Sequence, residues 1–260
     1  MTKKTARADR AKAKAGPSTA KPKGGRRRKM AGYTEDALAL IDANGTVVQI
    51  MPTAITESLR YMVARMRVGD GGEFPARIGL TSSIRGEGVS LMARALALVL
   101  SDGSRKVCLV DLNWWSPTVW PGVEEPVDGL AQVILGWSTL DAALMPMGNP
   151  GLSVLPAGPA SSSERPLLSS SQELEKILVE LSQRFDHVVL DLPAVLVSSE
   201  ALTLAEKVGS IAVVIHQGVT PEGRVTSTFE ELEGIPVVGA ILNRYSSKIP
   251  RRIRRRVAGA

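Results

Sequence analysis

The sequence predicts an α/β fold of the doubly wound kind, a mostly parallel sheet with helices on both faces in three α/β/α layers. Two observations carry this expectation. Short runs rich in Val, Ile and Leu alternate with amphipathic segments, as they do when parallel strands are buried on both faces by crossover helices. Between the first body strand and a long apolar segment stands Ser83-Ile-Arg-Gly-Glu-Gly-Val-Ser90, whose two glycines permit a tight loop opening into a helix. Strand, glycine loop and helix in that order make the phosphate-binding unit of a P-loop fold.

The elements follow in chain order. Residues 1–31 hold twelve Lys and Arg against one Asp and scarcely a large apolar side chain, so they cannot bury enough surface to offset ordering entropy and are expected to be disordered. A P-loop NTPase-like domain is expected over 32–247, and a second basic tail over 248–260, where six Lys and Arg lie between 248 and 256. The body between is acidic, so the net charge of +6 describes the tails rather than the fold. Amphipathic periodicity predicts a helix over 52–67, and the run Arg-Ile-Gly-Leu-Thr predicts a strand over 77–81. The apolar stretch after the loop predicts a helix over 88–101, and Val107-Cys-Leu-Val110 predicts a buried strand over 106–110. Helices are further expected over 129–134, 171–184, 199–205 and 221–232. Strands are expected over 152–155, 187–190, 211–215 and 237–242. A sheet of this kind binds ligands beyond the carboxyl ends of its strands.

Several classes are excluded. No apolar core of a secretory signal precedes the body, and no run approaches the roughly 18 to 20 apolar residues of a membrane span, so a cytoplasmic protein is expected. Cys108 is the single cysteine and falls inside a strand run, which reads as core rather than disulfide or metal ligand. His187 and His216 have no partners at metal-ligand spacing. Nothing in the body implies a nucleic-acid-binding fold.

Chemistry concentrates at the strand ends. Gly86 and Gly88 let backbone N–H groups of the loop point at phosphate, with Ser83, Arg85 and Glu87 in the same turn. Ser90 stands where a hydroxyl would hold Mg²⁺. Asp111 and Asp191 each close a strand run, and two carboxylates at neighbouring strand ends can bind magnesium or orient water. The alternative is that each caps the turn that follows.

In the same order the chain resembles the bacterial tyrosine kinases of capsule and exopolysaccharide synthesis, and more distantly the MinD and ParA ATPases. Thr81-Ser-Ser-Ile-Arg-Gly-Glu-Gly-Val-Ser90 is similar to the family's Thr-Ser-x-x-Pro-Gly-Glu-Gly-Lys-Ser. Val110-Asp-Leu-Asn-Trp-Trp-Ser-Pro117 resembles Val-Asp-x-Asp-x-Arg-x-Pro, and Leu190-Asp-Leu-Pro-Ala-Val195 resembles Ile-Asp-x-Pro-Pro-Val. Leu152-Ser-Val-Leu-Pro-Ala-Gly158, Ser199-Glu-Ala201 and Leu242-Asn-Arg244 fall in the family's order. The resemblance implies ATP and Mg²⁺ as cofactors, metal ligation by Ser90, Asp111 and Asp191, an adenine contact from Asn243, and a membrane polysaccharide co-polymerase or chain-length regulator as partner.

Departures from the family pattern set the functional expectation. Val89 stands where the family has the lysine that contacts the terminal phosphates. Asn113 replaces a carboxylate and cannot act as a base. Trp114 and Trp115 stand beside the expected phosphates, either plugging the site, offering a partner an apolar anchor, or packing in the core. Glu57 and Arg60 match the first two positions of the family's Glu-x-x-Arg-x-x-Arg ring-forming helix, whereas Val63 replaces the last, leaving homo-oligomerisation open. Tyr245 is the only tyrosine beyond Asp191, and Arg251-Arg-Ile-Arg-Arg-Arg256 takes the place of the family's tyrosine cluster. These residues point to a degenerate kinase-like protein that regulates or scaffolds polysaccharide assembly with weak or absent activity. The alternatives are an active atypical tyrosine kinase or MinD/ParA-like ATPase with Arg85 as substitute cation, and a surface-binding module whose tails meet anionic lipid or, less favoured, nucleic acid.

Overall fold

The computed structural model describes residues 37–69, 73–102, 105–120 and 127–244; both basic tails and Tyr245 lie outside the described residues. The chain begins with an antiparallel hairpin, β1 (Ala39–Ile41) and β2 (Val47–Ile50), that the sequence reading did not anticipate. Its turn is held by Asp42, whose Oδ1 accepts from the N–H groups of Asn44 and Thr46 at 2.9 and 2.7 Å. There follow α1 (Thr53–Gly69), β3 (Arg77–Ser82), α2 (Val89–Ser101) and β4 (Val107–Asp111). Next come α3 (Leu130–Ile134), α4 (Leu140–Ala143), β5 (Met145–Pro146), β6 (Leu152–Leu155), α5 (Arg165–Ser170) and α6 (Gln172–Arg184). The chain continues through β7 (His187–Asp191), α7 (Glu200–Val208), β8 (Ile211–His216), α8 (Glu222–Glu231) and β9 (Val237–Asn243).

Seven strands form one sheet in the order β5-β6-β4-β7-β3-β8-β9, parallel throughout except for the short β5. This is the doubly wound, mostly parallel α/β fold that the alternating pattern predicts. Strand residues alternate between two cores, as the two-residue repeat of a strand requires. Val188 and Leu190 face the α6 and α7 side, whereas Val189 faces the α1 and α2 side. Cys108 is fully buried in the first of these cores, and that burial pushes its thiol pKa up, so it packs as an apolar side chain.

Helix α6 illustrates how sequence sets packing. Leu174, Ile177, Leu178 and Leu181 recur at helical spacing and are buried, and Ser171 caps the helix by accepting from the Leu174 N–H at 3.1 Å. Each such leucine contributes about 1.5 to 3 kcal/mol relative to exposure. Helix α2 has almost no polar face, because it lies between the sheet and α1 and is buried from Met92 onward except at Arg94. The elements not anticipated, the hairpin, α4, β5 and α5, have two to six residues each, too few to display a period. Among the described residues, no helix is long and apolar enough to cross a membrane.

Candidate functional site

The parallel register sets Asp111 beside Asp191 at the carboxyl ends of β4 and β7, with Leu80 of β3 opposite Asp191 on its other side. The segment from β3 to α2 rises directly from this edge. Ser82 donates through Oγ to the Ile84 carbonyl at 2.8 Å, and the Ile84 N–H donates to Glu87 Oε2 at 2.9 Å, closing a tight turn. Gly86 and Gly88 hold φ of 85° and 94°, left-handed values that a residue with Cβ rarely adopts. At Gly88 a Cβ would also strike the side-chain amide nitrogen of Asn243. Helix α2 starts at Val89 with no side-chain cap, so its first N–H groups and positive dipole end face the open side of the loop.

A cleft of about 340 Å³ opens there, lined among others by Gly86, Gly88, Val89, Ser90, Arg94 and Trp115. The Val89 side chain leans partly on the core beneath α2. Ser83, Glu87 and Asn243, expected at the ligand, turn their side chains elsewhere. Ser83 is fully buried and its Oγ accepts from the Thr228 hydroxyl at 2.8 Å. Glu87 is buried too, and its carboxylate accepts from the N–H groups of Ile84 and His216 and from the Thr220 hydroxyl. Asn243 donates through Nδ2 to the Glu87 carbonyl at 2.7 Å. These three side chains fasten the loop to β8, α8 and β9 rather than line the cleft.

The acid pair is buried, 2% and 3% exposed, each within two residues of a position that lines the cleft, Asn113 and Leu192. Asp111 accepts from the N–H groups of Asn113 at 2.9 Å and Thr118 at 2.7 Å, so both of its oxygens hold the following turn. Burial raises its pKa against those hydrogen bonds. In Asp191, burial first and the charge of Asp111 second push the carboxyl up to about 7, opposed by a hydrogen bond from Ser90 and the charge of Arg94. Asp191 Oδ1 is buried without a hydrogen-bond partner among the described residues. An unpaired carboxylate oxygen beside a hydroxyl and a second carboxylate is the hard-oxygen donor set that suits Mg²⁺, which takes few protein ligands and keeps the rest as water or phosphate. Ser90 and Asp191 would hold the ion directly, and Asp111, committed to backbone, would hold the turn around it.

The two neighbouring tryptophans have different fates. Trp114 is buried and donates through Nε1 to the Ala157 carbonyl at 2.9 Å, so it is core. Trp115 is 41% exposed and forms a wall of the cleft. The guanidinium groups of Arg85 and Arg165 lie 5.0 and 4.6 Å from its ring centroid, and its Nε1 donates to Glu200 Oε2 at 3.3 Å. Arg85, the substitute cation considered from sequence, is thus engaged by this ring. On α1, Arg60 pairs with Asp102 at 2.7 Å and Val63 is buried in the core, so two positions of the ring-forming pattern serve intramolecular packing. Sequence reasoning missed Arg94, although an arginine four residues after Ser90 in an otherwise apolar helix was a visible signal.

No family model matches the chain. Over 168 residues it is 31% identical to tyrosine-protein kinase YwqD of Bacillus subtilis, a stretch covering 63% of this chain and 70% of that protein. Over 172 residues it is 27% identical to the succinoglycan biosynthesis transport protein ExoP of Rhizobium meliloti, covering 64% of this chain but 22% of ExoP. Among solved structures, the VpsO kinase domain superposes with a TM-score of 0.66 at 27% identity, covering 74% of this chain and 94% of that one. MinD of Pyrococcus horikoshii complexed with Mg-ADP shares the fold, with a TM-score of 0.51 at 22% identity over 69% of this chain and 76% of that one.

Proposed function

The chain belongs to the bacterial tyrosine kinase family, and we propose that it is a nucleotide-binding member, impaired in phosphoryl transfer, that regulates or scaffolds exopolysaccharide or capsule assembly. One observation carries the reading. Val89 occupies the first turn of α2 at the wall of the cleft, in a loop that otherwise keeps its two left-handed glycines, its helix N-terminus and its serine. The parts that bind phosphate through the main chain remain, and the lysine that would neutralise charge on the transferred group is absent.

The cleft residues divide the work accordingly. Backbone N–H groups around Gly86 and Gly88, with the α2 dipole, receive the phosphates. Ser90 and Asp191 hold Mg²⁺, which when bound neutralises phosphate charge and polarises the phosphoryl group. Asn113 lines the cleft where the family has a carboxylate, and an amide cannot take a proton from an attacking hydroxyl. The absence of one charge-assisted phosphate contact weakens binding by about 1.5 to 3 kcal/mol, on the order of tenfold to a hundredfold. The polysaccharide role rests on the likeness to ExoP, and a membrane co-polymerase is the partner it suggests, with the basic tails adding affinity for an anionic membrane face.

The test is calorimetric titration with ATP and magnesium, run beside ATP hydrolysis and tyrosine autophosphorylation. Binding with negligible turnover is expected, and Val89→Lys should tighten ATP binding about tenfold or more. Robust turnover by the natural chain, abolished in Asp191→Ala, would overturn the impairment.

A further inference from the structure

Arg94 reaches the cleft from the second turn of α2. It sits four residues after Ser90, on the same helix face, and side chains in a helix lean toward its N-terminus. Its Nε donates to the Ser90 carbonyl at 2.9 Å, which fixes the root of the guanidinium beside the loop. No hydrogen bond or ion pair among the described residues engages its two terminal nitrogens. Asp111 and Asp191 lie near enough to act on its charge, but neither comes within ion-pair distance. Burial lowers the pKa of this guanidinium against those two carboxylates, which marks a cation held partly out of water without a bonded counter-ion. Arg85, the other arginine of the cleft, is stacked on Trp115.

Resting on the nucleotide-binding reading above, we propose that Arg94 supplies the cation that the loop lacks at Val89 and grips the terminal phosphates of a bound nucleotide. A guanidinium offers two parallel N–H donors to phosphate oxygens and retains its proton, so it suits binding and charge neutralisation but not proton transfer. Because it acts from the second helical turn, it leaves the first turn free to be apolar. Valine at 89 can then pack on the core while the cleft keeps a positive charge. Nucleotide affinity in this chain should therefore rise with phosphate number through Arg94.

The experiment is calorimetric titration of the full chain with ATP, ADP and AMP in magnesium. It compares the natural protein with Arg94→Ala, Arg94→Gln and the double substitution Val89→Lys with Arg94→Ala. Both single variants should weaken ATP binding tenfold to a hundredfold and ADP binding less, with AMP changed by less than threefold. The lysine of the double variant should recover most of the lost ATP affinity. Retained AMP binding serves as the check that each variant is folded, and Arg94→Gln, which keeps the aliphatic stem and an N–H donor at the level of Nε but removes the terminal nitrogens and the charge, covers a failure of the alanine variant. The inference is overturned if ATP binding changes by less than threefold in both single variants while the natural chain binds ATP. It is equally overturned if ATP, ADP and AMP weaken together with a lower urea midpoint, since that would be a structural role at the start of α2. A natural chain that binds no nucleotide would bring down the nucleotide reading itself, and Arg94's role with it.

Discussion

Replacing Asp191 by asparagine should stabilise the protein at neutral and alkaline pH. The carboxyl is 3% exposed, has an oxygen without a partner, and faces Asp111 across the strand register. Its pKa rises from the ordinary 3.8 to about 7. About three units correspond to roughly 4 kcal/mol, at about 1.4 kcal/mol per unit, by which ionisation disfavours the folded state above pH 7. The sign follows from proton counts. Between pH 3.8 and about 7 the folded state binds more protons than the unfolded one, so this group lowers stability as pH rises and leaves it unchanged below pH 3.8. Asparagine keeps the shape without the charge, so Asp191→Asn should gain about 2 to 4 kcal/mol at pH 8 and close to nothing near pH 4. Urea unfolding at a series of pH values measures this directly, through a shift in midpoint at constant m. Millimolar Mg²⁺ should raise the midpoint of the natural chain at pH 8 and leave that of the variant unchanged. A variant no more stable than the natural chain at pH 8 would refute the reasoning, because the carboxylate would then be compensated.

Three further outcomes are expected. His187 is buried and its pKa is lowered, chiefly by desolvation, so the folded state resists protonation; in the Asp191→Asn background, stability should fall as pH drops through about 6.5, by at most roughly 1.4 kcal/mol per unit, in urea titrations. Trp114→Ala should cost about 3 to 5 kcal/mol, whereas Trp115→Ala should cost under about 1 kcal/mol; thermal melts of the pair separate the two roles. Glu87→Ala leaves the Ile84 N–H and the Thr220 hydroxyl without their acceptor and the His216 N–H with Thr220 Oγ1 alone, and should cost about 2 to 3 kcal/mol, with faster hydrogen exchange at Ile84.

The sheet was legible in the sequence because strands buried on both faces must be continuous apolar runs, and no other element of that length needs them. The loop was legible through Gly86 and Gly88, whose backbone angles exclude most residues, and the acid pair through two aspartates that close strand runs. Side-chain direction was the part that stayed hidden. Trp114 and Trp115 are chemically identical neighbours, and only the path of the turn after β4 sends one into the core and the other to the cleft. Asn243 and Glu87 are far apart in sequence, so their bond could not be read before β9 was placed beside β8. Arg94 was visible as the one charge in an apolar helix, and what stayed hidden was that the helix turns it toward the cleft.

The bonds from Asn243, Thr220 and the His216 N–H to Glu87 mean that the loop is ordered by its own protein before any ligand arrives. Ordering a free backbone residue costs about 1 to 2 kcal/mol, and a loop of several residues that closed only on its ligand would subtract that from the affinity. Here folding has already met the cost. Preorganisation of that kind lets a cradle built mainly from peptide N–H groups hold an anion that a mobile loop of the same sequence would release, and it places a determinant of affinity in β8, the turn after it and β9, in residues outside the lining of the cleft.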